Sequence, residues 1–253
     1  MENTITSQEE YIEQFTARNA FLLLLLLFIF SGAGAQAING DGNSQRKTYH
    51  LSGYSSVEIY TPVNAYFTND TGAIAIEADN NIVPHIQVKT EKGKLIIKND
   101  PGIWFNPKTV IKIFIPVEKI SSIKNIGSAD INTINVKLTG PSVQIVNVGS
   151  GKIKVVLDCN DLKVNGKGAA DFDLSGKTQH AVIDLSGSGD IHAQDLSTNV
   201  VDLHLNGSCD AWINCLTKLN VHIPLISSST VYYKGAPQIK KTGMGGSIEK
   251  LEL

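Results

Sequence analysis

AVIDLSGSGDIHAQ, residues 181–194, sets two short alternating segments on either side of Ser186-Gly187-Ser188-Gly189-Asp190. That tract is too flexible for a helix and too small to pack, so it reads as a corner. Glycine allows positive φ and close backbone approach, serine is small, and an aspartate side chain accepts hydrogen bonds from turn amides. The corner recurs. IKNIGSADI places Asp130 after Gly127, VQIVNVGSGKI places Lys152 after Gly149, and VNGKGAADF offers Asp171 in a looser version. VDLHLNGSCDAW places Asp210 after Gly207, and IPLISSSTVYY places Thr230 after three serines. From Asp130 through Lys152, Asp171, Asp190 and Asp210 to Thr230 the steps are 22, 19, 19, 20 and 20 residues. That is the length of one solenoid coil.

Between corners, VQIVNV, KIKVVL, AVIDL, VDLHL and LNVHI alternate apolar with polar residues and are rich in β-branched side chains, which predicts strands. Counting from the corners puts Ile131, Ile153, Phe172, Ile191, Ala211 and Val231 in one column, and Ile123, Ile145, Val164, Ile183, Leu203 and Ile223 in another. Like stacks on like around a narrow apolar core, and a single coil cannot bury its face without its neighbours.

The beginning of the chain reads as a leader rather than as part of the fold. AFLLLLLLFIF, residues 20–30, is shorter than the roughly 20 residues of a membrane-spanning helix. SGAGAQ follows it, with Ala33 and Ala35 at the spacing of a signal-peptidase site. Residues 1–35 are therefore expected to be a signal peptide cleaved after Ala35. A membrane is expected to be met only through this segment, if it stays uncleaved. Its n-region is acidic, with Glu2, Glu9, Glu10 and Glu13 against Arg18. The rest keeps 22 − 1 = 21 basic and 24 − 4 = 20 acidic residues, so no long-range field recruits nucleic acid.

Cys159 and the pair Cys209 and Cys215 belong to coils three steps apart, about 14 Å at a strand spacing of about 4.8 Å, too far for a disulfide. Three free thiols are expected. No His or Cys partner has metal-ligand spacing, and no cofactor or resident metal is implied. The corner carboxylates Asp171, Asp190 and Asp210 could sit about 5 Å apart, near the separation of a retaining glycosidase, and stacked carboxylates could attract calcium. Against both readings, corner aspartates recur because corners recur.

The half from Ser44 to Pro116 is less regular. Asn69-Asp70-Thr71-Gly72 and Glu91-Lys92-Gly93-Lys94 predict turns between strands, and residues 36–47 read as a short flexible linker. GIWFNPKT, residues 102–109, reads as a loop carrying Trp104 and Phe105, which either cover one side of the stack or form a surface patch for a sugar or a partner. Counting back from the corners, Asp184 falls beside His204 and Asp202 beside His222, two outward pairs on neighbouring coils.

LSGSGDI, NVGSGKI, LNGSCDAW and the terminal VYYKGAPQIKKTGMGGSIEKL resemble the putative auto-transporter adhesin, head GIN domain family, common in exported proteins of the Bacteroidetes type. YSSVEIYTPVNAYFTND, AIAIEADNNI, EKGKLIIK and VIKIFIPVEKISSI fit it too, so the resemblance spans residues 48–253. It implies an all-β protein, a right-handed parallel β-helix in its repeat region, forming a single domain, and it brings no catalytic residues. The expected function is an exported, non-catalytic module with an adhesive or envelope-binding role, in the periplasm, on the outer surface or secreted. Its partner is a glycan or an envelope protein; the alternative is a polysaccharide-active enzyme using the corner carboxylates.

Overall fold

The computed structural model of the protein describes residues 36–70, 72–117 and 119–252; the expected signal peptide, residues 1–35, lies outside them. The first half contains β1 (Gln36–Asn39), β2 (Ser44–Tyr49), β3 (Ser56–Ile59), β4 (Asn64–Thr68) and β5 (Ile74–Asp79). It continues with β6 (Ile86–Glu91), β7 (Lys94–Asn99), β8 (Ile103–Asn106) and β9 (Lys112–Pro116). The repeat half contains β10 (Ser122–Gly127), β11 (Asp130–Thr133), β12 (Leu138–Gly149), β13 (Lys152–Gly168) and β14 (Asp171–Gly187). Then come β15 (Ile191–Gly207), β16 (Ala211–His222), β17 (Thr230–Lys234), β18 (Gln238–Thr242) and β19 (Ser247–Lys250). One 3-10 turn, Val83–His85, interrupts them. No helix among the described residues is long and apolar enough to cross a membrane.

From β10 onward every strand pairs in parallel with its counterpart one coil away, the register of a β-solenoid. The column Ile131, Ile153, Phe172, Ile191, Ala211, Val231 is in register and fully buried. The other expected column holds from Ile123 to Leu203, but its next member is Val221, not Ile223. The reason is a longer corner: six residues separate His204 from Asp210, and eight separate its partner His222 from Thr230. Pro224 and Leu225 lie within that longer stretch, and Leu225 and Ile226 stand out at its tip.

The first half caps the stack. β3 and β4 pair in parallel with β10 and β11 on one side and with β7 and β9 on the other. Antiparallel β6 then covers β7, and antiparallel β5 covers β9 and carries β2 in turn. The Glu91–Lys94 turn joins β6 to β7 as a hairpin. β2 and β6 end the sheet with the exposed charges Arg46 and Lys47 on one and Lys89 and Glu91 on the other, which discourages pairing with another chain. At the other end Lys241 stands in register with buried Val221. Its ammonium donates to the Gly246 carbonyl (2.9 Å), and a charge at a core position guards that edge as well.

Residues 36–47 are not a flexible linker. β1 pairs in parallel with β8, and β2 pairs with β5. A buried carboxylate fixes the segment between them: Asp79 accepts the amides of Gly42 (2.8 Å), Lys108 (2.8 Å) and Thr109 (3.1 Å). Burial raises the Asp79 carboxyl, but the Thr109, Gly42 and Lys108 amides outweigh it and hold it below its ordinary value.

A second carboxylate in the cap has a measurable signature. Tyr60 donates its hydroxyl to Glu58 (2.7 Å), and the Lys94 ammonium donates to the other oxygen (2.7 Å). The Lys94 bond first and the Tyr60 bond next hold the Glu58 carboxyl low, while the Glu58 bond pushes the Tyr60 phenol up to about 12. The carboxylate's contribution is present above its unfolded value and is lost as pH falls through its folded one. The phenol's contribution is complete below its unfolded value, about 10, and disappears as pH rises through about 12. Tyr60 is 37% exposed, so screening limits the effect to about 1 kcal/mol or less. Ultraviolet titration should show a late-ionising step that loses one tyrosine's amplitude in Tyr60→Phe; an unchanged late step in that variant refutes the assignment.

Candidate binding face

The corners explain why the repeat contains Gly, Ser and Asp. Gly127, Gly149, Gly187 and Gly207 stand in one column, joined by Gly168, which the looser spelling around Asp171 hid. The amide one residue after each glycine donates to the glycine carbonyl of the coil before: Ser150 to Gly127 (3.0 Å), Ala169 to Gly149 (2.8 Å), Ser188 to Gly168 (2.8 Å) and Ser208 to Gly187 (2.8 Å). The aspartates staple the coils in the same direction. Asp130 accepts the Lys152 amide (2.9 Å), Asp171 the Asp190 amide (3.0 Å), Asp190 the Asp210 amide (2.9 Å), and Asp210 the Thr230 amide (2.7 Å). They accept from the next coil and not from their own turn. Lys152 cannot accept, and its ammonium turns instead to Asp173 (2.9 Å). One oxygen of each corner aspartate is thus committed to coil stacking, which accounts for the column without chemistry.

Inside the corner at Ser208, Cys209 is buried and its thiol lies 3.3 Å from the Gly187 carbonyl. Cys159 and Cys215 belong to another buried column, separated by Thr178 and Thr198. All three cysteines are free, and burial pushes each thiol up, which makes them poor nucleophiles.

Two outward faces flank the corners. On the face before them, Asn165, Asp184, His204, His222 and Thr242 form a column. Asp184 meets His204 at 2.7 Å. Asp202 does not meet His222: the shortened coil of β16 puts Asn220 opposite Asp202 and His222 opposite His204. Asp202 takes the Asn220 amide (2.6 Å) and His180 Nε2 (2.8 Å), while His222 Nδ1 lies 3.0 Å from the Thr242 hydroxyl. Burial raises Asp202, but Asn220 and then His180 lower it further, so it stays below the ordinary carboxylate range. His180 reaches Asp202 diagonally; its partners in register are Asp161 on one side, 3.7 Å from Nδ1, and Val200 on the other. Among the described residues no group of three or more His, Cys, Asp or Glu side chains is arranged to hold a metal ion.

On the face after the corners, one column runs Phe114, Tyr66, Asn132, Lys154, Asp173, His192, Trp212, Tyr232, Glu249. Its aromatic members stack along the axis: His192 on Trp212 at 4.3 Å, Trp212 on Tyr232 at 5.1 Å, and Tyr66 on Phe114 at 5.4 Å. Trp104 and Phe105 lie elsewhere, on β8 rather than in a loop. Trp104 is 65% exposed, while Phe105 is half-buried against the core, so the two do not form one patch.

Residues 53–237 match the family profile described as "putative auto-transporter adhesin, head GIN domain". The chain belongs to that family. A solved structure of a putative adhesin from Bacteroides fragilis is similar to this GIN domain, at 26% identity and a TM-score of 0.77, over 85% of this chain and all of the other. A putative lipid binding protein from Parabacteroides distasonis, at 20% identity, superposes with a TM-score of 0.71 over 86% of this chain and all of the other. A putative adhesin from Parabacteroides merdae, at 18% identity, does so at 0.67 over 86% and all. The last two show the fold alone. Among curated proteins no match is found.

Proposed function

We propose that this GIN domain is an exported, non-catalytic adhesive module of the cell envelope, whose rigid ladder presents fixed rows of side chains to a surface glycan or envelope protein. One observation carries the reading. The residues that looked most like catalytic groups are used to hold successive coils together, while the outward columns between corners present ordered rows of polar and aromatic side chains. The family description and the Bacteroides fragilis relative support adhesion. Against the polysaccharide-active alternative, each corner aspartate already has one oxygen bonded to the next coil.

The test is direct. Labelled protein should bind intact cells or envelope fractions saturably and leave envelope and plant polysaccharides at their original length. Chain shortening abolished by Asp190→Asn would establish the enzyme instead; absence of any surface binding would remove the adhesive reading.

Export carries its own expectation. Intact-mass measurement of the protein recovered from the envelope should give a chain starting at Gln36. A mature species keeping residues 20–30 would make that run an anchor.

A further inference from the structure

We infer that the face after the corners holds a binding subsite for a neutral sugar, in a groove of about 280 Å³ between the aromatic ladder and a bulge in β15. This rests on the adhesive reading and names the ligand class. The bulge is visible in the register: Asp173 pairs with His192 and Ser175 with Asp195, so β15 carries one residue more than β14 over the same span. Bulges re-aim side chains and recur beside functional sites. Here Gln194 and Asp195 line the groove together with Lys154, Asp173, His192 and Val156.

Three features select the ligand. His192 stacks on Trp212 and lines the groove one coil above Asp173. With half-exposed Val156 it offers the apolar contact that the C–H face of a pyranose needs. The polar groups around it are mixed in kind. Gln194 Oε1 is buried and accepts no hydrogen bond among the described residues, so it calls for a donor. Lys154 donates, and Asp173 accepts with only one oxygen engaged by Lys152. A hydroxyl is donor and acceptor at once and can answer each of them. The charges discriminate further: Asp173 and Asp195 oppose an anion, Lys152 and Lys154 oppose a cation, and a neutral polyol meets neither penalty.

Trp212 provides the readout. In a Trp104→Phe background it is the tryptophan that remains, since the sequence has two. The probes are methyl glycosides of glucose, galactose, mannose and N-acetylglucosamine, and their tetramers. At least one should shift Trp212 emission saturably. Lys154→Ala, at an exposed position, and Gln194→Ala should each weaken that binding about tenfold, the loss of one good hydrogen bond, with thermal melting unchanged. Emission unmoved by every probe, or binding that survives both substitutions, overturns the subsite. The adhesive reading is separated by the cell-binding assay: Lys154→Ala and Gln194→Ala that still bind cells leave adhesion standing and place its contact elsewhere, whereas sugar binding without cell binding does the reverse.

Discussion

Gly187→Val should destabilise the protein by about 2 to 6 kcal/mol, a loss of about 10 °C in melting temperature for a chain of this size. Two terms add. Gly187 has φ +132°, where a β-branched residue is strained by about 1 to 3 kcal/mol. A Cβ there would also overlap the Gly168 carbonyl oxygen and lie 2.9 Å from both the Gly168 carbonyl carbon and its nitrogen. These are backbone atoms held by the Ser188 bond to Gly168, so they cannot swing aside, and overpacking adds about 1 to 3 kcal/mol. Gly127 separates the two terms. Its φ is +130°, but nothing lies within 4 Å of a Cβ built there, because it heads its column. Gly127→Val should therefore cost only the strain. Thermal melts of both variants decide: equal losses mean that coil contact at the corner contributes nothing, and no loss in Gly187→Val means the corners are loose loops.

That contrast also marks what was legible beforehand. The corner tract announces itself because a turn this tight needs glycine, and its 19- to 22-residue recurrence fixes which coil stacks on which. From this followed the Asp184–His204 neighbours and the column from Ile131 to Val231. What failed were features that depend on residues far away in sequence or on changes in coil length. The strands at residues 36–49 exist because β8, β5 and the Asp79 carboxylate hold them, and alternation within SQRKTY carries no sign of that. Ile223 and the Asp202–His222 pair failed together, because counting at a constant 20 residues cannot see a coil that is two residues short in one strand and two long at its corner. The groove was hidden for the same reason: a one-residue bulge shifts the register without changing composition.

Phe172→Ala should be the most damaging side-chain truncation in the stack, and its rescue tests whether coils pack as neighbours. Phe172 is fully buried in a column otherwise made of Ile, Val and Ala. Room for its ring comes from the coil's other strand, where Gly166 stands between Asn147 and Leu185. A Cβ on Gly166 would lie 2.7 Å from Phe172 Cε2 and 2.7 Å from Leu185 Cδ2. Phe172→Ala alone empties that space and should cost about 3 to 5 kcal/mol. Gly166→Ala alone pushes against the ring and should cost about 1 to 3 kcal/mol. In the Phe172→Ala background the same Gly166→Ala change should instead be neutral or stabilising. The ring is then gone, the tip of Leu185 can rotate away, and the added methyl fills part of the cavity. A double-mutant cycle from urea melts should thus give a coupling energy of about 1 to 3 kcal/mol. Additive losses would show that Gly166 is there for its backbone and not for the ring it faces. Because each coil contacts only its neighbours, the same variants should leave the late-ionising Tyr60 of the cap unchanged; a shift there would mean that the cap and the stack respond as one unit.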